Sequence, residues 1–276
     1  MASCITVRGR LLDLSRPVVM GILNATPDSF YAGSRVNAVD TILAKADQML
    51  EEGAAILDIG GASTRPGAEE VAADEEKRRV LPAIEAILKR FPETVISIDT
   101  YQSGVAKAAV EAGAGLVNDV SGGTWDEAML PIVAALRVPY IAMHAKGKPA
   151  TMQQSPQYAD VVVEVFDHLR GVMQRCNAAG IHDVILDPGF GFAKNSEHNF
   201  KLLGGLEDLR PLSRPLLVGV SRKGMVYRTL GTAPEAALNG STVLHTVALM
   251  KGASILRVHD VREAVEAIKL VGMLRM

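Results

Sequence analysis

Short apolar runs recur along the chain, and eight of them stop on a polar or charged residue. Val18–Leu23 stops at Asn24, Ala55–Leu57 at Asp58, Val95–Ile98 at Asp99, and Gly115–Val117 at Asn118-Asp119. Tyr140–Met143 stops at His144, Val184–Leu186 at Asp187, Leu216–Val220 at Ser221-Arg222-Lys223, and Ser254–Leu256 at Arg257, with His259 close behind. Runs this short and this apolar are what strands buried on both faces of a parallel sheet look like. Between them the apolar spacing turns helical in Asn37–Glu52, Asp74–Arg90, Ser103–Ala112, Tyr158–Ala179, Pro234–Met250 and Val261–Met273. In Asp74–Arg90, for example, Val80, Ile84, Ile87 and Leu88 share a face opposite Glu75, Lys77, Arg78 and Lys89. Gly53, Gly113, Gly180 and Gly252 lie just past helical stretches, where a left-handed residue stops the helix.

Strand and helix alternating about eight times, without a break long enough for a linker, predict one α/β domain over residues 1–276. The predicted architecture is a (β/α)8 TIM barrel from about residue 17, with 1–15 as a short N-terminal β-ribbon or arm. A doubly wound open sheet is the alternative. It favours a Gly-rich fingerprint after its first strand, where this chain reads Asn24-Ala25-Thr26-Pro27-Asp28. In a barrel the polar endings share one rim, at the carboxyl ends of the strands. Two connections on that side, Thr26–Asn37 and Gly60–Asp74, exceed the usual turn and are candidate lids over a substrate.

Composition narrows the picture. Hydrophobic residues make up 48% and aromatics only 4%, which suits layers of Val, Ile, Leu and Ala. A net charge of −2, with both signs interspersed, gives no basic footprint for nucleic acid. The two cysteines, Cys4 and Cys176, form no metal-ligand or redox spacing, which fits a reducing cytoplasm. No apolar h-region and no membrane-length apolar run is read, so a soluble cytoplasmic chain is expected.

Asp99 and Asp187 fall on the third and sixth barrel strands, across the mouth from one another, with Asn118 and Lys223 facing the same space. Two carboxylates, an amide and an ammonium suit a flat heterocycle with amidine-like N–H donors and a carbonyl oxygen. The competing reading, that each carboxylate caps a following helix, fails for Asp187, which precedes Pro188-Gly189. Arg65, Arg257 and His259 form a basic set, the latter two beside the last helix, where barrels hold phosphate. A surface ion pair of Arg257 with Asp260 is the alternative. Gly189-Phe190-Gly191 allows close backbone approach to a planar ligand, with Phe192 available for stacking. Asn24 and Asp28 offer hard oxygens for Mg2+ held largely by substrate phosphates and water. The six histidines form no zinc motif; His168, His182 and His198 read as solvated and His245 as a packing residue. Together these groups point to a heterocycle joined to a diphosphate, a good leaving group once cations neutralise it.

Leu23–Phe30, Asp58–Gly67, Ser97–Thr100, Asn118–Gly122, Asp187–Phe192, Ser221–Lys223 and Arg257–Asp260 resemble, in order, the motifs of the dihydropteroate synthase family. The resemblance spans about residues 18–261. It implies a homodimeric barrel that condenses 6-hydroxymethyl-7,8-dihydropterin diphosphate with 4-aminobenzoate. Diphosphate is expected to leave first, and the arylamine to attack the resulting pterin cation. By matching position, Asp99, Asn118, Asp187 and Lys223 would hold the pterin, with Met143, Phe192 and Gly219 lining its pocket. Asn24 would reach Mg2+ and the diphosphate, which Thr64, Arg257 and His259 would also hold; Arg65 would act from the second loop. Phe30, Pro66, Lys223 and Gly224 would form the aminobenzoate site. The chain departs from the family at Ala32, where an acidic residue is usual, and at Gly224, where a serine is usual. Both departures bear on 4-aminobenzoate and sulfonamide binding. A methyltetrahydrofolate-dependent methyltransferase domain would share the pterin pocket but has no use for a diphosphate site. A non-catalytic pterin-binding paralogue is the other alternative.

Overall fold

A computed structural model of the chain describes residues 4–25, 35–62, 70–147 and 156–274, with only the backbone for 35–38. Strands β1 (Cys4–Val7) and β2 (Arg10–Asp13) form an antiparallel hairpin. Eight parallel strands follow: β3 (Val18–Asn24), β4 (Ile56–Gly60), β5 (Val95–Asp99), β6 (Leu116–Asp119), β7 (Tyr140–Met143), β8 (Val184–Asp187), β9 (Leu217–Val218) and β10 (Ile255–Val258). Their order is β8-β7-β6-β5-β4-β3-β10-β9, and a bridge between Leu186 and Leu216 joins the two edges into a barrel. Helices α1 (Arg35–Glu51), α2 (Ala73–Arg90), α3 (Ser103–Glu111), α4 (Met129–Leu136), α5 (Val161–Ala179), α6 (Ser196–Gly204), α7 (Gly224–Tyr227), α8 (Leu238–Met250) and α9 (Val261–Met273) complete the alternation. The barrel prediction holds.

Two helix starts fall three and four residues later than the sequence reading, for local reasons. Helix α5 begins at Val161 because the Asp160 side chain accepts hydrogen bonds from the amides of Val162 and Val163, satisfying donors that the helix cannot. Pro234–Ala236 is a separate 3-10 turn, so α8 begins only at Leu238. Helix α4 has the sequence MLPIVAAL, apolar almost all round, and so shows no amphipathic period to read. None of the described helices is long and apolar enough to cross a membrane.

The apolar interior has two parts. A larger one lies between the barrel wall and the helices. A smaller one fills the barrel's amino-terminal end, where Met20, Ile56, Leu116, Ile141, Ile185, Leu217 and Ile255 meet Ile5, Val7 and Leu14. The expected arm is therefore a floor. Its alternating strand buries Ile5 and Val7 and exposes their neighbours, and the Thr6 amide is pinned to Asp183 Oδ2 at 2.8 Å. Strand side chains repeat with period two, so two residues beyond each floor residue comes the next inward layer. That layer contains Asp58, Asn118, Met143, Asp187, Gly219 and Arg257. An apolar floor under a polar layer is what positions the site.

Candidate active site

One register line crosses the rim from Asn24 to Gly60, Asp99 and Asn118. Just below it lies a pairing that the run endings hide, because β4 continues past Asp58 and β10 past Arg257. Arg257 Nε donates to Asp58 Oδ2 at 2.6 Å, and its Nη2 donates to Asp99 Oδ2 at 2.6 Å. Asn118 Nδ2 donates to the same Asp58 oxygen at 3.0 Å. Asp58, which the motifs leave without a role, is fully buried and anchors both side chains. The readable signal was that the apolar strand resumes at Ile59 rather than ending at Asp58. The other carboxylate oxygens, Oδ1 of Asp58 and of Asp99, are buried without a hydrogen-bond partner among the described residues.

Across the mouth, Asp187 Oδ1 accepts the Gly189 amide at 2.8 Å, which folds the backbone sharply after β8. Gly189 has φ +72°, and a Cβ there would lie 2.0 Å from the His144 carbonyl oxygen, so only glycine fits. Lys223 Nζ donates to the Phe190 carbonyl oxygen. The same ammonium stands 4.7 Å from the centre of the Phe192 ring, a cation–π distance. Met143 is the register partner of Asp187. Gly219 lies beside the same ammonium, where a Cβ would stand 3.9 Å from Lys223 Nζ.

Burial dominates the electrostatics. It raises the Asp187 pKa, against which Lys223 acts, and it lowers that of Lys223 to about 8, against Asp187. Asp99 is pushed up to about 7 by burial, with Arg257 opposing and Asp58, Glu76 and Asp119 adding to the rise. For Arg257, burial opposes the charge, but Asp58 and Asp99 outweigh it and hold the guanidinium ionised. The layer thus holds its charges only by mutual pairing, as a low-dielectric interior requires.

At the third side, the Ser221 hydroxyl accepts the His259 amide at 3.2 Å and lies 3.1 Å from its Nδ1. The ion-pair alternative considered for Arg257 belongs to another residue: Arg222 grips Asp260 with two bonds, of 2.9 and 2.6 Å. Asp119 faces outward and is used structurally, accepting from Tyr140 Oη at 2.6 Å and from the amides of Ser121 and Gly123. His168 is not a solvated residue. Its ring packs edge-on against His144 at 4.7 Å and its Nε2 is buried. His245 is buried in α8, as a packing residue should be. Asp28, Phe30, Ala32, Thr64, Arg65 and Pro66, with residues 26–34 and 63–69 of the two long connections, lie outside the described residues.

A closed parallel barrel carrying two carboxylates, an amide and an ammonium on its carboxyl-end rim is the architecture of an enzyme for a small, flat, hydrogen-bonding ligand. A family profile described as "Pterin binding enzyme" matches residues 20–259. The dihydropteroate synthase of Escherichia coli K12 is 45% identical over 266 residues, covering 96% of this chain and 94% of its own. The dihydropteroate synthase of Yersinia pestis, in a sulfonamide drug complex, superposes with a TM-score of 0.93 at 45% identity, over 99% of both chains. That of Xanthomonas albilineans, with 4-aminobenzoic acid, gives 0.92 at 41% identity, over 100% of this chain and 99% of its own. The chain belongs to the dihydropteroate synthase family of pterin-binding enzymes.

Proposed function

We propose that the protein condenses 6-hydroxymethyl-7,8-dihydropterin diphosphate with 4-aminobenzoate to give 7,8-dihydropteroate and diphosphate, a step of folate biosynthesis. The observation that carries this reading is the polar layer in which Asp99, Asn118, Asp187 and Lys223 face one cup. There Asp187 accepts from the pterin's amidine edge, Lys223 donates to its carbonyl oxygen, and Asp99 and Asn118 take the opposite edge. Met143, Phe192 and Gly219 line the plane of the ring. The bond between the methylene carbon and the diphosphate oxygen breaks with its electron pair on oxygen. The positive charge then spreads over a ring flanked by two carboxylates, which favour it as it develops. The amine nitrogen of 4-aminobenzoate forms the new bond to that carbon and releases its proton.

Arg257 and His259, with Thr64 and Arg65 from the second loop, are assigned to the diphosphate. Phe30, Pro66, Lys223 and Gly224 are assigned to the aminobenzoate. Among the described residues no group of three His, Cys, Asp or Glu could hold a metal. A hard ion carried by phosphate and water therefore suits the site better than a protein-caged one. Asn24, exposed at the end of β3, offers such an Mg2+ a single oxygen; bound there, the ion would neutralise the leaving diphosphate. Purified protein incubated with pterin diphosphate, Mg2+ and labelled 4-aminobenzoate should give labelled dihydropteroate. Diphosphate release without labelled product would sink the reading.

The pH profile is expected to be a bell. Activity requires Asp99 ionised and Lys223 protonated, so kcat/KM should climb as pH rises toward about 7 and fall beyond about 8. Asp99→Asn should remove the acidic limb and Lys223→Met the alkaline one. At Gly224 a Cβ would meet Arg228 Nε at 3.4 Å, an ordinary contact, so a side chain fits. Gly224→Ser should lower KM for 4-aminobenzoate by about threefold to tenfold, one neutral hydrogen bond's worth. An unchanged KM would remove Gly224 from that site.

A homodimer is part of the proposal. Val243 and Met250 of α8 and Leu270, Met273 and Leu274 at α9 leave large apolar side chains in solvent, and contiguous apolar surface marks interfaces. Sedimentation should show a dimer that Leu270→Asp dissociates. Cytoplasmic location is supported by the two cysteines, both free thiols.

A further inference from the structure

Behind the pterin wall sits a lysine that reaches no solvent-facing partner. Lys194 is only 3% exposed, although it follows the loop after β8. Its ammonium donates to the Gly189 carbonyl at 2.9 Å and to the Phe192 carbonyl at 3.1 Å, and it meets His144 Nδ1 at 2.9 Å. With Lys194 charged, its ammonium has three protons and no lone pair, so His144 Nδ1 is the acceptor. The imidazole is then neutral, with its proton on Nε2. Its surroundings agree: burial first, then Lys194, His168 and Lys146, drive the His144 pKa down to about 2. Burial also pulls Lys194 down to about 7, with Lys223 and Lys146 adding to the fall and Asp187 resisting it.

The rest of the loop is fastened in the same manner, by side chains rather than by a ladder. The Gly191 amide donates to Asn199 Oδ1 at 2.8 Å, and Tyr158 Oη donates to the Ala193 carbonyl at 2.9 Å. The front of this loop carries the two features that the proposed pterin site needs. They are the half-buried Phe192 ring and the Phe190 carbonyl that holds Lys223. A buried ammonium is costly, and an apolar side chain of similar volume would fill the space at least as well. The charge is accounted for by the two carbonyls it gathers.

We propose that Lys194, seated on neutral His144, is a positioning residue that holds the Gly189–Phe192 turn where Phe192 and Lys223 meet the substrate ring. The ring's identity rests on the function proposed above, whereas the clamp does not. Lys194→Met should raise KM for pterin diphosphate about tenfold or more, the loss expected when charge-assisted bonds go, and should raise KM for 4-aminobenzoate by less, since among the described residues of that site only Lys223 touches the turn. His144→Phe should share that loss. His144→Asn, which places an amide oxygen near the Nδ1 position, should recover most of it. A Lys194→Met protein with wild-type KM and only a lowered Tm would overturn the proposal, as would equal loss in the Phe and Asn variants. If Lys194→Met does not fold, the two His144 variants decide alone. Nitrogen NMR of the His144 ring, without substrate, separates failure of the clamp from failure of the assigned function. Below about pH 7, where Lys194 is an ammonium, the ring should be held as the neutral Nε2-protonated tautomer. A ring that titrates in the ordinary histidine range, or is protonated at Nδ1, would overturn the clamp even in an active enzyme. A persistent tautomer in a protein that makes no dihydropteroate would leave the clamp standing and discard the substrate.

Discussion

Asp187→Asn should cost the protein roughly a hundredfold or more in kcat/KM for pterin diphosphate, the scale of losing an electrostatic group aimed at developing charge, while leaving it at least as stable. The two halves of that expectation come from different atoms. Oδ1 of Asp187 accepts the Gly189 amide, and an asparagine oxygen can do the same, so the turn after β8 survives. What disappears is the negative charge beside a ring that becomes cationic, and an amide N–H now faces the ligand's own donors. Stability is spared because burial raises the Asp187 pKa. A carboxyl whose folded pKa lies above its unfolded value costs stability once ionised, and removing the charge removes that cost. Steady-state kinetics with thermal melting tests both halves. Near-normal turnover would strip Asp187 of its assigned role, and a large fall in Tm would mean that the turn needs the charge.

Asp58→Ala acts the opposite way, on the scaffold first. Asp58 is fully buried and accepts from both Arg257 and Asn118 on one oxygen. Its removal leaves Arg257 with Asp99 alone and the Asn118 amide without its acceptor. Breaking a buried ion pair from one side costs about 3–5 kcal/mol. The lower end applies here, because Asp99 remains and the Arg257 side chain is 20% exposed. About 3 kcal/mol corresponds to a Tm lower by roughly 10 °C in a domain of this size. Activity should fall as well, since Asn118 and Arg257 lose the group that aims them. The double variant Asp58→Ala, Arg257→Met should be destabilised by clearly less than the sum of the single changes, the mark of a direct pair. Additive losses would show that the two side chains do not depend on one another.

The rim was legible in the sequence because a strand buried on both faces stays apolar until it reaches the mouth. Asn24, Asp99, Asn118 and Asp187 announce themselves as breaks in that pattern. Depth was not legible. Placing a strand end two residues early moves a side chain up by one layer of the barrel. Asp58 and Arg257 read as strand endings in that way, although β4 runs on to Gly60 and β10 to Val258. Their pairing joins positions 199 residues apart, which no local periodicity reports. The hairpin was visible as an arm, but its role as a floor depends on residues drawn from seven strands. The Arg222–Asp260 and Lys194–His144 contacts were hidden for a related reason. Charged residues in loops look solvated until the fold shows what lies behind them.

The sealed floor reaches beyond packing. With Ile5, Val7 and Leu14 closing the far end, the barrel is shut at its amino-terminal end among the described residues, and a ligand enters from the rim. Whatever lodges deepest has to arrive before, and depart after, whatever sits above it. The queueing order of two substrates is then dictated in part by a small hairpin at the opposite end of the molecule, which takes no part in the chemistry.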